Sequence, residues 1–248
     1  MSLRLPVLDA DPSAPFPPAR SALREPDGLL AMGGDLSPVR LLNAYAHGIF
    51  PWFSAGQPIL WWSPDPRTVF RSDGVRLPSR MRRQFRRSDW RIVADRDFDA
   101  VIAACATTPR RGQDGTWITR EMQAAYSELH RLGHAHSIEV RDGSMPGEGR
   151  LVGGLYGVAI GRMFFGESMF SAESGGSKAA LAGLAHRLGE WQWPLIDAQV
   201  GNPHLATLGA EAWPRPRFLE AIAELCAHPG NPGSWTESFG SLSAATLA

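Results

Sequence analysis

This chain of 248 residues has two cysteines, one lysine and no long apolar segment. Cys105 and Cys226 are far apart and form no Cys-x-x-Cys pair, so the sequence indicates neither a disulfide framework nor a cysteine zinc site. The longest uncharged apolar run, residues 151–161, is much shorter than the ~20 residues that cross a bilayer. The N-terminus also lacks the apolar core of a secretory signal. We therefore expect a soluble, cytoplasmic protein.

Several catalytic signatures are missing as well. The sequence contains no Gly-x-Ser-x-Gly elbow, no His-Glu-x-x-His helix and no dinucleotide fingerprint. The glycine-rich residues 174–178 lack the ending of a P-loop; they either offer backbone amides to an anion or form only a turn with Ser177 as N-cap. His134 and His136 have the spacing of two metal ligands on one strand face, but no third ligand is evident nearby. We expect no metal and no cofactor.

The charge of the chain is balanced in total but clustered in one segment. The formal net charge is zero, and Lys178 is the only lysine. Residues 76–91 nevertheless hold seven arginines and one acid, which predicts contact with a phosphate backbone; a solvated helix face is the alternative. A helix is predicted to begin at Ser79, with Met81 and Phe85 facing inward. The residues that we predict to bind nucleic acid on its outer side are Arg82, Arg83, Arg86 and Arg87.

Aromatic residues are concentrated in a proline-rich segment, residues 48–67. It contains Trp52, Trp61 and Trp62, and Trp117 lies in a second, polar context. Three indoles in a segment broken by prolines cannot all face one small core, so some are expected to line a cleft, where indole rings stack on bases or apolar groups. Ordinary aromatic packing is the alternative. Trp61 and Trp62 are expected to be structural.

The element order predicts an α+β fold. Ser37 caps a helix that ends at Gly48, and prolines mark a joint near Arg67. We predict a small N-terminal α+β domain over residues 1–66, a larger domain over 67–228, and a disordered tail over 229–248 that is rich in Gly, Ser, Pro and Ala.

In the larger domain, two helices, three strands, a helix and a strand follow one another. This is the order of a GCN5-related N-acetyltransferase (GNAT) core, with a mixed sheet flanked by helices, and the three strands are predicted to form an antiparallel meander. The predicted elements are helices from Asp97 to Ala106 and from Thr119 to Gly133, strands over 134–140, 151–160 and 163–170, a helix up to Leu188 and a strand over 194–200.

Three polar residues stand out on apolar strands. Asp197 and Gln199 are two residues apart, so an ideal strand points both side chains to one face. They either hold a substrate amine or make a structural hydrogen bond at a strand end. Glu167 is surrounded by aromatic residues, and a buried acid without a partner is costly. It therefore meets an internal arginine or faces a pocket that receives a cation; Gly166 beside it permits close approach.

Several long motifs in order resemble the bacterial leucyl/phenylalanyl-tRNA-protein transferases. They occupy residues 23–38, 48–53, 61–67, 115–120, 133–139 and 165–170, and the similarity extends over roughly residues 21–226. The resemblance implies an enzyme that moves Leu or Phe, and Met less well, from aminoacyl-tRNA to proteins with an N-terminal Arg or Lys, which feeds the N-degron pathway. It implies an aminoacyl-tRNA donor on the acyltransferase-like core and no cofactor.

The resemblance also implies roles for individual residues. Trp52 and Trp117 match positions that hold the 3′-terminal adenosine and its ester, and Leu155 and Phe164 match the apolar pocket for the donor side chain. Such a pocket discriminates one methylene by only about 1–3 kcal/mol, so graded acceptance of Leu, Phe and Met is expected. Gly166 belongs to the motif of the acceptor site.

At the reaction centre, the resemblance places Asp197 and Gln199, with Glu167 near the acceptor. Our hypothesis is that Gln199 positions the acceptor amine and that Asp197 either assists its proton loss or only orients Gln199. The tetrahedral intermediate then expels the ribose hydroxyl without an acyl-enzyme, and alignment of the reactants supplies much of the acceleration.

Two alternatives remain open. An acetyl-coenzyme A-dependent N-acetyltransferase needs a Gln/Arg-x-x-Gly-x-Gly/Ala loop, which residues 171–178 do not contain. A non-catalytic RNA-binding module would use the arginines and indoles but gives no reason for Glu167, Asp197 and Gln199. No long exposed apolar stripe is evident in the sequence, so we expect a monomer without membrane contact.

Overall fold

The N-terminal part of the chain forms a small sheet with one helix. A computed structural model describes residues 5–108, 117–143 and 148–248. The elements of the N-terminal part are β1 (Val7–Leu8), a 3-10 turn (Ala19–Ser21), β2 (Leu29–Gly33), α1 (Pro38–Ala46), β3 (Phe50–Pro51) and β4 (Leu60–Trp62). The strand order is β1-β2-β4-β3. Helix α1 begins as predicted, because the Ser37 side chain caps its first turn and Pro38 occupies the first helical position.

The rest of the chain builds one large sheet with helices on both faces. Its strands are β5 (Arg67–Arg71), β6 (Arg91–Ala94), β7 (Ala135–Arg141), β8 (Leu151–Ile160), β9 (Met163–Ser171), β10 (Leu195–Gln199), β11 (Glu211–Trp213) and β12 (Leu242–Ser243). Its helices are α2 (Ser79–Arg87), α3 (Phe98–Thr107), α4 (Arg120–Arg131), α5 (Gly176–Glu190), α6 (Pro203–Thr207), α7 (Arg215–Leu225) and α8 (Thr236–Phe239), followed by a 3-10 turn (Ala244–Leu247).

The large sheet is mixed, with the order β11-β5-β10-β9-β8-β7-β6-β12. The predicted meander of β7, β8 and β9 is confirmed, because both neighbouring pairs are antiparallel. Strand β10 pairs with β9 in parallel, which requires a crossover, and α5 provides it. The other neighbouring pairs are antiparallel. The expected α+β class is confirmed.

Two hydrophobic clusters cover the faces of the large sheet. One contains residues of α3 and α4, such as Val101 and Leu129, together with Tyr45 and Trp61 of the N-terminal part. The other lies under α5 and α2 and includes Leu184. The N-terminal part thus shares a core with the rest of the chain. Its independence as a domain over residues 1–66 stays a prediction.

The prediction of a disordered tail over residues 229–248 is wrong. Trp235 is fully buried and stacks on His136, with ring centroids 3.8 Å apart. Strand β12 then extends the large sheet beside β6, and Phe239 is also buried. The prediction rested on the Gly, Ser and Pro content of the segment and overlooked its two buried aromatic residues, Trp235 and Phe239. Burial of a large aromatic side chain offsets much of the entropy lost when such a segment is ordered.

Helix α2 is amphipathic, as its sequence predicted. Met81 and Phe85 are buried in the second cluster, whereas Arg82, Arg83, Arg86 and Arg87 are exposed. The Gln84 side chain donates to the Ser174 carbonyl oxygen at 2.7 Å. None of the helices in the described ranges is long and apolar enough to cross a membrane.

Candidate active site

A cavity of about 420 Å³ opens between the N-terminal part and the large sheet. Loop and strand residues 50–52 form one wall, and β8, β9, β10 and α5 form the others. The cavity brings together residues from separate segments that the sequence predicted as substrate-binding or catalytic residues. They are Trp52, Trp117, Leu155, Phe164, Gly166, Glu167, Asp197 and Gln199.

One side of the cavity is an apolar lobe. Leu155 and Phe164, the two predicted pocket residues, are almost fully buried there. Sequence reasoning missed the other apolar residues of the lobe, because single apolar positions on strands and helices look alike. Only Leu181 and Leu184, three residues apart on α5, carried a periodic signal. The missed residues are Phe70, Met169, Leu181, Leu184, Ile196 and Leu205.

The tryptophans of residues 48–67 have two different positions, one at the rim of the cavity and the others behind it. Trp52 lines the cavity with 37% of its surface exposed, and its ring lies 5.7 Å from that of Trp62. The Trp62 indole N–H donates to the Trp52 carbonyl oxygen at 2.7 Å, which fixes the loop. Trp61 is fully buried, and its indole N–H donates to the Gly33 carbonyl oxygen at 2.9 Å. Trp61 and Trp62 therefore support the rim.

Asp197 makes a buried, bidentate ion pair with Arg67. The Arg67 Nε and Nη2 atoms donate to the two carboxylate oxygens at 2.8 and 2.6 Å. The third guanidinium nitrogen, Nη1, donates to the Gly48 carbonyl oxygen at 3.0 Å. The guanidinium also lies between two rings, 4.8 Å from the centroid of Phe50 and 4.7 Å from that of Phe218. Sequence reasoning missed Arg67 as a site residue, although it ends the motif at residues 61–67.

This pairing does not fit Asp197 as the proton acceptor. Both carboxylate oxygens accept from the guanidinium, and Oδ1 also accepts from the Gln199 backbone N–H at 2.9 Å. These three contacts occupy the carboxylate oxygens with donors from the protein itself. The arrangement fits Asp197 as the residue that holds Gln199 in place.

Gln199 has an unusual backbone conformation. The pairing register with β5 shifts between Asp197 and Gln199, and Gln199 has a φ of 59° in the left-handed region. The simple strand alternation that we assumed for these two residues is therefore interrupted, although both still line the cavity. A left-handed non-glycine residue costs about 1–3 kcal/mol and is maintained only where its surroundings hold it. The Asp197 carboxylate supplies that restraint.

Among the described residues, the hydrogen-bond partners of Glu167 are neutral donors and not an internal arginine. The hydroxyls of Tyr45 on α1 and Tyr126 on α4 donate to its two oxygens at 2.6 and 3.1 Å. The Gln199 Nε2 atom donates to Oε1 at 2.6 Å. Burial raises the pKa of Glu167 to about 7; the three hydrogen bonds oppose this shift, and the charge of Asp197 adds to it.

The arginines of α2 do not belong to the cavity lining. Arg82 instead lines a separate depression with Arg76 and His186. His136, considered as a metal ligand, is buried, and its Nδ1 atom lies 2.8 Å from an Asp95 carboxylate oxygen. Within the described ranges, no group of three or more His, Cys, Asp or Glu side chains could hold a metal ion.

Two family models match the chain. One is described as leucyl/phenylalanyl-tRNA protein transferase and matches residues 69–223. The other is described as the N-terminal domain of this transferase and matches residues 34–65. The chain belongs to this family. The leucyl/phenylalanyl-tRNA–protein transferase of Xanthomonas axonopodis pv. citri is 64% identical over 100% of the chain and 98% of its own length.

The transferase of Xylella fastidiosa is 61% identical over 94% of each chain. Among solved structures, a functionally unknown conserved protein from Staphylococcus epidermidis has a TM-score of 0.41, 9% identity, and coverage of 75% of this chain and 68% of its own. That likeness is too weak to support a conclusion about the fold. The family match confirms the expectation of an aminoacyl-tRNA-dependent protein aminoacyltransferase.

Proposed function

We propose that the cavity is the acyl-transfer centre, where a leucyl or phenylalanyl group passes from tRNA to a protein N-terminus. The observation that carries this proposal is the meeting of the apolar lobe with the polar cluster of Glu167, Asp197 and Gln199 in one cavity. The lobe suits the donor side chain, and the polar cluster suits an attacking amine. Met-tRNA is a third donor, because an apolar lobe discriminates weakly among groups of similar size.

We propose that Trp52 and Trp117 hold the terminal adenosine of the donor. Trp52 is partly exposed at the rim and is braced from behind by Trp62, so one face of its ring is available for stacking. Stacking of a base on an aromatic side chain contributes about 1–3 kcal/mol. The ester carbon would then lie between the rim and the apolar lobe, beside Gln199.

The acceptor is proposed to carry an N-terminal Arg or Lys. Asp197 is neutralised by Arg67, whereas Glu167 contacts only neutral donors among the described residues. When ionised, Glu167 therefore offers a negative charge to a cationic N-terminal residue. Modification of such N-termini with Leu or Phe would feed the N-degron pathway in the cytoplasm, where aminoacyl-tRNA is used.

We propose that the exposed arginines of α2 contact the phosphate backbone of the tRNA. All four are exposed on one amphipathic helix and lie outside the cavity, which suits contact with a part of the tRNA remote from its 3′ end. Such contacts neutralise phosphates and carry no sequence information. Binding would therefore weaken with increasing salt.

We propose that residues 67–228 form a GNAT-like core and that the protein acts as a monomer. The order α3, α4, β7, β8, β9, α5, β10, with the parallel pair β9–β10 joined by α5, supports the assignment of the core. The cavity receives residues from both parts of the same chain, so a second copy is not needed to complete its lining. Sedimentation at assay concentration tests the oligomeric state; a dimer would contradict this part of the proposal.

A transfer assay tests the proposal. The protein is incubated with radiolabelled Leu-tRNA and peptides that begin with Arg, Lys or Glu, and a parallel sample receives labelled acetyl-coenzyme A. We expect label on the Arg and Lys peptides from Leu-tRNA alone. Acetyl transfer would favour the N-acetyltransferase alternative, and tRNA binding without transfer would favour the RNA-binding module.

A variant pair tests the location of the centre. Gln199→Ala is expected to lower the single-turnover rate at saturating acceptor, because it removes the amide that faces the cavity. Gln57→Ala, an exposed amide outside the cavity, is the matched control. Equal rates for the two variants would contradict the assignment of the cavity.

A further inference from the structure

Two tyrosine hydroxyls and the two carboxyl oxygens of Glu167 form a closed ring of contacts beside the cavity. The Tyr45 hydroxyl donates to Glu167 Oε1 at 2.6 Å, and the Tyr126 hydroxyl donates to Glu167 Oε2 at 3.1 Å. The two tyrosine hydroxyl oxygens also lie within hydrogen-bond distance of each other, and either of them could be the donor. The ring therefore consists of three O···O contacts that link the two hydroxyls and the carboxyl group.

A count of protons distinguishes the two states of this ring. When Glu167 is ionised, the two hydroxyl protons are both needed by its oxygens, and the contact between Tyr45 and Tyr126 has no proton. When Glu167 is protonated on Oε2, this proton is donated to Tyr126, the Tyr126 proton to Tyr45, and the Tyr45 proton to Oε1. Every contact then holds one proton. The geometry of the ring accommodates a protonated carboxyl group.

The tyrosines are not themselves proton acceptors at neutral pH. Burial and the nearby charge of Glu167 raise the pKa of Tyr45 and of Tyr126 well above the usual value, so both keep their protons. The pKa of Glu167, raised to about 7 by burial, lies close to that of an α-amino group, about 7.7–8.0. Exchange of a proton between these two groups is nearly balanced in free energy, which suits a general base.

The other groups that face this ring leave Glu167 as the available base. From β10, Gln199 donates to Oε1, and Asp197 contributes a negative charge that is paired with Arg67 of β5. From β8, Tyr156 lies next to Tyr126, with ring centroids 5.7 Å apart. Among the described residues, Glu167 is thus the carboxylate of the cavity that is held by neutral donors alone.

We propose that Glu167 takes the proton from the acceptor nitrogen during transfer, and that Tyr45 and Tyr126 are positioning residues that keep its carboxyl group hydrogen-bonded in both protonation states. This inference rests on the proposed function of the cavity. It assigns to Glu167 the proton transfer that the sequence hypothesis considered for Asp197.

In the proposed step, Glu167 carries one proton from the acceptor nitrogen to the leaving ribose oxygen. The neutral amine nitrogen forms a bond to the ester carbonyl carbon, and the carbonyl oxygen takes the electron pair. The Glu167 carboxylate removes one proton from that nitrogen. The carbonyl bond then re-forms, the bond from carbon to the ribose oxygen breaks, and the ribose oxygen receives the proton from the Glu167 carboxyl group. Glu167 is again a carboxylate, and the products are an amide and an alcohol.

The test is a pH profile of the single-turnover rate at saturating acceptor. Two acceptors are compared, an arginyl peptide and its β-homoarginine counterpart, whose amine is more basic. In the plot of rate against pH, we expect one rise, or limb, near pH 7 that is common to both acceptors and reports the ionisation of Glu167. A second limb should follow the pKa of the acceptor amine and therefore differ between the two acceptors. If every limb moves with the acceptor amine, the inference is overturned.

Variants assign the limb to residues. Glu167→Gln is expected to lower the saturating rate by about 10²-fold or more and to abolish the limb near pH 7. Tyr45→Phe and Tyr126→Phe each remove a hydrogen bond that lowers the Glu167 pKa, so each should move the limb to higher pH. Glu128→Gln, an exposed carboxylate on the same helix as Tyr126, is the control and should leave the profile unchanged.

The outcomes separate this inference from the proposed function. A Glu167→Gln variant that transfers at the wild-type rate when saturated but has a higher KM for the acceptor would limit Glu167 to binding and overturn the inference alone. A wild-type protein that transfers to no Arg or Lys acceptor would overturn the proposed function. If circular dichroism shows that Glu167→Gln does not fold, the pH profiles of Tyr45→Phe and Tyr126→Phe test the inference instead. A limb near pH 7 that stays at the wild-type pH in both variants would contradict it.

Discussion

Replacement of Arg67 by Met should destabilise the protein and disturb the cavity together. The substitution removes a guanidinium that donates to both oxygens of Asp197 and to the Gly48 carbonyl oxygen, while the length of the side chain is nearly kept. It leaves a carboxylate with no exposed surface and no counter-charge. Breaking a buried pair in this way costs about 3–5 kcal/mol. Because Asp197 also holds the backbone of Gln199, the single-turnover rate should fall as well.

Urea denaturation at pH 7 measures the first effect, in a cycle of Arg67→Met, Asp197→Leu and the combined variant. The combined variant should lose less free energy of unfolding than the two single variants together, because it buries no unpaired charge. Arg71→Met, on the same strand, breaks an exposed pair with Asp73 and should change stability little. The reasoning fails if Arg67→Met is no more destabilising than Arg71→Met.

Three further predictions concern the rim, the arginine helix and the buried acid. Trp52→Ala should weaken donor binding by about 1–3 kcal/mol, measured as the KM for Phe-tRNA, with Trp52→Phe retaining most of the affinity. Combined Arg83→Glu and Arg87→Glu should weaken binding of every tRNA alike and flatten its salt dependence; an unchanged salt slope would make α2 a solvated face. Burial raises the pKa of Glu167 from 4.5 to about 7, so the native state binds more protons than the unfolded state between these two values. The free energy of unfolding that this shift contributes is fully present below pH 4.5 and is lost as the pH rises to 7. Relative to Glu167→Gln, the wild type should lose roughly 3 kcal/mol between pH 4.5 and 8; a pH-independent difference would contradict this.

The central elements of the fold were predictable because their signals are local. Strands β7, β8 and β9 are seven to ten residues long and lie between turns that contain glycine. Helices α3 and α4 begin at side chains that cap them, Asp97 and Thr119. Short strands gave no such signal. Strand β12 has two residues and depends on pairing with β6, and β11 depends on β5. Those partners are remote in sequence, and no local pattern specifies them.

The candidate site was predictable for the residues that line it and not for those that support them. Asp197, Gln199 and Glu167 attract notice as polar residues on apolar strands. Arg67 looks like any other arginine until the fold brings it to Asp197, 130 residues away. Tyr126 and Tyr45 read as core residues of two helices, because helical periodicity reports which face is buried and not which hydroxyls meet there.

A crystal structure with a non-hydrolysable phenylalanyl-amide analogue of the terminal adenosine tests the central claim most directly. The account predicts that the phenyl ring lies in the apolar lobe beside Leu155 and Phe164, and that the adenine stacks on Trp52 or Trp117. The amide carbonyl carbon should lie next to Gln199 and Glu167. An analogue bound outside this cavity, or bound with its phenyl ring away from the lobe, would contradict the account.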